Sequence, residues 1–189
     1  MKRLICMMAI LMGVVVAQAA DRVKLVKGDK DIFHVEATAV VVIDDHKTMI
    51  DRRDQTADVY YTSKGEEEYQ KFVEDLDRAH LSFTTYFNEK KKKAIQMTMA
   101  DQADDAEYTL KIKVTKMNVG NAGGMIWGMS KKAGGAQIEG TMQLIDNATG
   151  EAVCEFEFEK VKGLLSPTFR ARAISVYRYL ADELLKAVK

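Results

Sequence analysis

Three short constellations in this 189-residue chain carry residue types that could do chemistry. The first is Asp44-Asp45-His46, two carboxylates and an imidazole in succession, the donor types that bind a divalent cation or activate water. The second is the pair His34 and His80, scattered like His46 over different elements and forming no H-E-x-x-H pattern. The third is the stretch VGNAGGMIWGMSKKAGGAQIEG from Val119 to Gly140, which holds seven of the twelve glycines and the single tryptophan.

A phosphate cradle needs glycines at set offsets so that several amides turn toward one anion. No two glycines here lie two apart, and Gly123 and Gly128, which have the P-loop separation, are followed by Met129 where a lysine is required. The serines show no G-x-S-x-G elbow. The residues therefore assign no catalytic group and no cofactor. Asp44, Asp45 and His46 stand as the weak metal candidates, and a small metal-dependent hydrolase or ligand-binding enzyme as the alternative function. For Val119 to Gly140 three readings stay open: cover for an edge of the core, a finger that binds a protein partner, or shallow membrane contact. In the latter two, Met125, Ile126, Trp127 and Met129 supply apolar area and Lys131 and Lys132 face an anionic surface.

The elements that must position these groups follow from periodicity. The first twenty residues have a basic start at Lys2 and Arg3, an apolar run from Leu4 to Ala17 and the small-residue pattern Ala17-Gln18-Ala19. They read as a signal peptide over 1–19, too short in its apolar part for a bilayer span of roughly 20 residues, followed by a single domain over 20–189. Removing Lys2 and Arg3 leaves a net charge of −2, which argues against a nucleic-acid partner. Cys154 is then the lone thiol, and its alternation with Phe156 and Phe158 makes it a packed small hydrophobe.

His34 to Asp44 is rich in β-branched residues and reads as a strand. The polar stretch behind it, 45–62, reads as loop. Ser63 and Glu66 have capping-box spacing ahead of a helix whose stripe is Tyr69, Phe72, Val73, Leu76, His80, Phe83 and Phe87. Four strands follow, over Ala94 to Met99, Glu107 to Thr115, Ile138 to Leu144 and Ala152 to Val161. Ser166-Pro167 then opens a closing helix with a stripe of Ile174, Tyr177, Leu180, Leu184 and Val188. Alternation with one wet face is the antiparallel habit. The expected fold is α+β: a two-layer sandwich of a mostly antiparallel sheet of about five strands with two amphipathic helices, in the order β-α-β-β-β-β-α.

The run AEYTLKIKVTKMNVGNAGG, the glycine-broken loop, and AQIEGTMQLIDNATGEAVCEFEF together resemble the central sheet of a broad group of exported bacterial envelope proteins. The most recognisable piece is Gln143-Leu144-Ile145-Asp146 followed by Thr149-Gly150-Glu151. The group includes the periplasmic domain of the curli secretion lipoprotein and the amino-terminal domain of the Tol translocation protein. This resemblance implies an envelope setting, periplasmic or secreted outside the cell, and work done through contact with an envelope protein. It implies no catalytic residues. Where the curli lipoprotein has a membrane-spanning hairpin, this chain has only the short tip around Trp127, and it lacks a lipid-attachment cysteine. A self-assembling or membrane-contacting component is the remaining alternative.

Overall fold

The computed structural model describes residues 22–50, 55–91, 95–100, 105–120 and 134–189. Among them eight strands form one mixed sheet: β1 (Val23–Gly28), β2 (Thr38–Asp44), β3 (Met49–Ile50), β4 (Gln55–Thr56), β5 (Gln96–Met99), β6 (Tyr108–Asn118), β7 (Gln137–Asp146) and β8 (Ala152–Lys162). Three helices accompany them: α1 (Ala57–Thr62), α2 (Glu66–Lys90) and α3 (Phe169–Ala187). The spatial order is β1-β8-β7-β6-β2-β5, with the short β3 beside β6 and β4 beside β3. The α+β class holds, but the sheet is larger than five strands and partly parallel.

The parallel part has a topological cause. β2 runs parallel to both its neighbours, β5 and β6: the long α2 returns the chain to the starting end of the sheet between β2 and β5, and the chain returns once more between β5 and β6. Alternation reports only that one face is wet; whether the connection brings the chain back decides direction. The meander β6-β7-β8 is antiparallel as expected, and the reversal between β7 and β8 is an Asx turn. Asp146 Oδ1 accepts from the amides of Ala148 and Thr149 at 2.8 and 3.1 Å.

Several sequence expectations shift. The strand from His34 begins only at Thr38, since Lys30–His34 forms a 3-10 turn. The supposed loop over 45–62 contains β3, β4 and α1. Ser63 does not cap α2: it ends α1, its hydroxyl donating to the Tyr60 carbonyl, and Gly65 at φ +112 precedes the new helix. Three glutamates, Glu66 to Glu68, then fill the first turn, where the helix dipole favours them. At α3 the cap is Thr168, whose hydroxyl accepts from the Ala171 amide, two residues after the expected Ser166.

Helices α2 and α3 pack on each other and on one face of the sheet. From α2 the stripe Phe72, Leu76, His80, Phe83 and Phe87 is buried. From α3 Tyr177, Leu180 and Leu184 are buried, as is Val188 at its C-cap, while Ile174 is only half-buried. Leu110, Ile112, Met142, Leu144, Cys154, Phe156 and Phe158 meet them from the sheet. Cys154 is fully buried and burial pushes its thiol up to about 11, which keeps it protonated and inert.

Candidate functional site

The acidic run after β2 splits. Asp44, at the strand end, and His46, in the turn beyond, are exposed, while Asp45 between them is fully buried. The turn is pinned from three sides. The Thr48 amide donates back to the Asp45 carbonyl at 3.2 Å, the Thr48 hydroxyl donates to the Val114 carbonyl at 2.7 Å, and the Asp58 amide at the start of α1 donates to the His46 carbonyl at 3.2 Å. So fixed, the Asp45 carboxylate reaches the seam between the two long helices. His80 Nε2 on α2 lies 2.7 Å from its Oδ2, and the Tyr177 hydroxyl on α3 donates to the same oxygen at 2.6 Å. The two rings meet edge to face with centroids 5.0 Å apart.

Asp45, Asp44 and His46 therefore do not converge on a common point. Among the described residues no three His, Cys, Asp or Glu side chains gather as a metal site would require. Adjacency in the chain does not carry into space here, because consecutive residues at a strand end point to opposite sides. The grouping it missed, Asp45 with His80 and Tyr177, left a signal. His80 and Tyr177 are the polar-tipped members of two otherwise apolar stripes, and polar tips on facing stripes must be satisfied by something buried.

A carboxylate that orients an imidazole is the supporting half of an acid–base device. Here, however, the imidazole spends its Nε2 on Asp45, and His80 is 6% exposed at the floor of a groove of about 510 Å³ bordered by Val41, Ile43, Asp77, Arg78, Leu81 and Met99. The hydroxyl beside it is held neutral: burial first, then the charge and hydrogen bond of Asp45, push Tyr177 well above the ordinary tyrosine range. The nearby Ser82 hydroxyl is bonded to the carbonyls of Ala79 and Ile174. Asp45 Oδ1 has no partner. The trio is arranged as a bolt through the helix pair.

A second polar construction holds the ends of the glycine-rich segment. Arg172 of α3 is 7% exposed, and its guanidinium is spent on backbone: Nε donates to the Val119 carbonyl at 2.9 Å, and Nη1 to the carbonyls of Ser166 and Pro167 at 2.6 and 3.1 Å. Burial lowers the Arg172 pKa from its ordinary value. Around it the chain ends crowd together. A Cβ on Gly120, where φ is +73, would come within 2.6 Å of the Gly134 carbonyl oxygen, and one on Gly135 would fall on the carbonyl of Gly163. The Gly163 amide donates to the Ala136 carbonyl at 2.8 Å. Gly120 and Gly135 at this base are needed for close backbone approach. Met125, Ile126, Trp127, Met129, Lys131 and Lys132 themselves lie outside the described residues.

No protein-family profile matches the chain, and no curated protein matches it. Solved structures give distant likenesses. A PelC dodecamer from Paraburkholderia phytofirmans is 14% identical over 86% of this chain and 95% of that chain, with a TM-score of 0.43. A point variant of the PelC dodecamer from the same organism is 15% identical over 86% of this chain and 96% of that chain, with a TM-score of 0.41. Among the described residues no helix is long and apolar enough to cross a membrane.

Proposed function

We propose that this chain is an exported protein of the bacterial envelope whose single domain works by binding another protein rather than by catalysis. The observation that carries the reading is the mounting of the glycine-rich segment. Its first end, at Val119-Gly120, is tied to α3 and to the β8–α3 connection by a buried arginine that gives its donors to backbone carbonyls, and its second, at Gly134-Gly135, lies close against the backbone of Gly120 and Gly163. Burying a guanidinium is costly, and a plain hairpin between β6 and β7 would close without one. Such a base gives the residues between a fixed point of departure, which lowers the ordering cost of an interface.

The leader-like residues 1–19 and the resemblance to envelope proteins that act by contact support the same reading. So does the use of Asp45, His80 and Tyr177 on one another in the interior. Met125, Ile126, Trp127 and Met129 are the proposed contact residues, with Lys131 and Lys132 at their margin.

The test is site-specific photo-cross-linking in cells from positions 125, 127 and 129, with a control at exposed Glu151 on the far turn. A discrete adduct in the envelope fraction from the first three positions and none from the control is the expected result. Adducts absent from all three, or a chain retained with its first nineteen residues in the cytosol, defeat the reading. The emission of Trp127 adds a second readout, since a blue shift with anionic vesicles alone would replace the protein partner by a membrane.

A further inference from the structure

The face of the sheet turned away from the helices carries an ordered charge pattern that the helix-covered core does not need. Reading across the strands by register, one row is Asp44 on β2, Lys113 on β6, Thr141 on β7, Glu157 on β8 and Lys24 on β1. The row beside it is Val42, Lys111, Gln143, Glu155 and Lys27. All ten are exposed except Glu155, which is half-buried. Among the described residues, none of the eight ionisable and amide groups in these rows is in an ion pair or a side-chain hydrogen bond.

The first row is antisymmetric about β7. Its signs run minus, plus, neutral, minus, plus, so that reversal of the row exchanges every charge for its opposite. The second row keeps the inner part of this pattern, plus, neutral, minus. Strands lie roughly 4.8 Å apart, which places the lysine stripe of β6 and the glutamate stripe of β8 about 10 Å from each other, beyond direct pairing within one sheet.

We infer that this open sheet face is a docking surface for a second copy of the same chain, related by a two-fold axis running along β7. Rotation about that axis sends each position across the interface to the mirror position in its row. Lys113 then faces Glu157 of the other copy, Lys111 faces Glu155, and Asp44 faces Lys24, each contact occurring twice because a two-fold interface is isologous. Thr141 and Gln143 fall on the axis and meet themselves as neutral residues; the next outward residue of β7, the half-buried Glu139, is in register with Lys116 of β6 and accepts from the Gln137 side-chain amide at 3.3 Å, which holds its carboxylate within its own sheet. A two-fold axis across the strands instead would set β6 on β6 and β8 on β8, lysine on lysine and glutamate on glutamate. The pattern therefore selects one orientation. With lysine and glutamate rather than aromatic residues at its centre, the association is salt-sensitive, because exposed pairs are screened within about 10 Å at 0.1 M salt. The inference stands apart from the proposed partner of the glycine-rich segment, which departs from the other end of β6.

Sedimentation velocity on the purified chain tests it, over a concentration series at low and at raised ionic strength. A dimer at low salt that dissociates as salt is added is expected. Lys113→Glu and Glu157→Lys, each at an exposed position, turn two attractions into two repulsions and weaken self-association by about tenfold or more. Mixing the two folded variants restores it, because each then presents the sign the other lost. A monomer at every concentration and salt overturns the inference. So does a dimer indifferent to both reversals, or a mixture that fails to associate when each variant is shown folded by circular dichroism.

Discussion

Asp45 and Arg172 are both buried charges that join α3 to the rest of the fold, yet they are satisfied in opposite ways. Asp45 is held by two side chains, His80 and Tyr177, from two helices, and one of its oxygens stays bare. Arg172 is held by three backbone carbonyls at Val119, Ser166 and Pro167. The first arrangement needs particular residues at three distant places and fails when any is removed. The second uses acceptors that every residue supplies, so it is specific to path rather than to sequence. Asp45 thus registers the helix pair against the sheet, whereas Arg172 registers a loop base.

The comparison breaks most sharply at His80. Replacing it with leucine leaves the buried Asp45 carboxyl with a single donor, and leaving a buried polar group short of a partner costs about 1–3 kcal/mol, more for a charged one. Urea unfolding of His80→Leu is expected to show that loss, and a cost below about 1 kcal/mol would mean that the trio does not hold the helix pair to the sheet.

At the loop base, Gly135→Ala drives a methyl onto the Gly163 carbonyl and is expected to cost about 1–3 kcal/mol, as overpacking does. Gly134→Ala, one residue earlier, meets nothing within 4 Å and is expected to be neutral or stabilising by a few tenths of a kcal/mol. Equal effects at 134 and 135 would refute the close approach.

Tyr177→Phe removes one donor from Asp45 and leaves His80 in place, for an expected cost of about 1–2 kcal/mol. Arg172→Lys keeps the charge but not the fork, so its global cost is expected to stay near 1 kcal/mol. Its larger signature is local: faster amide exchange at Gly163 and a shifted Trp127 emission, neither of which Tyr177→Phe should produce.

The smallest effect is alkaline. Cys154 and Tyr177 both have raised native pKa values, so the folded state keeps protons that the unfolded chain releases. Their contribution is intact below the unfolded values, near 8.5 and 10, and falls as pH rises through them toward the native ones, about 11 for Cys154. Stability measured from pH 8 to 11 should decline, and Cys154→Ala should flatten the lower part of that decline. An unchanged slope in the variant would place the proton release elsewhere.

Much of the frame was readable beforehand because it rests on local periodicity. The stripes of α2 and α3 and the alternation of β6, β7 and β8 follow from burying one face of each element, and the Asp146 turn from an Asx side chain bonding its own backbone. The edge strand β1 escaped notice because only Val23 of its six residues is buried, so it carries almost no hydrophobic signal. The short β3, β4 and α1 escaped because each is held by a neighbour rather than by its own propensity: β3 pairs with β6, β4 pairs with β3, and α1 packs on α2.

By itself, then, the sequence determined which face of each element is apolar, that Cys154 packs as a hydrophobe, and that His80 and Tyr177 lie on buried stripes. Tertiary structure alone decided that Asp45 turns inward from Asp44 and His46 to join them, that β2 runs parallel to both neighbours, and that Arg172 reaches the Val119 carbonyl. It likewise aligned Lys113 with Glu157 across β7, two stripes separated by 44 positions in the chain. The physical reason is common to all four. Burial preference is a property of one residue and its near neighbours, and survives in the order of the letters. Pairing and direction depend on which distant backbone the chain meets, and that is settled only when the whole core closes.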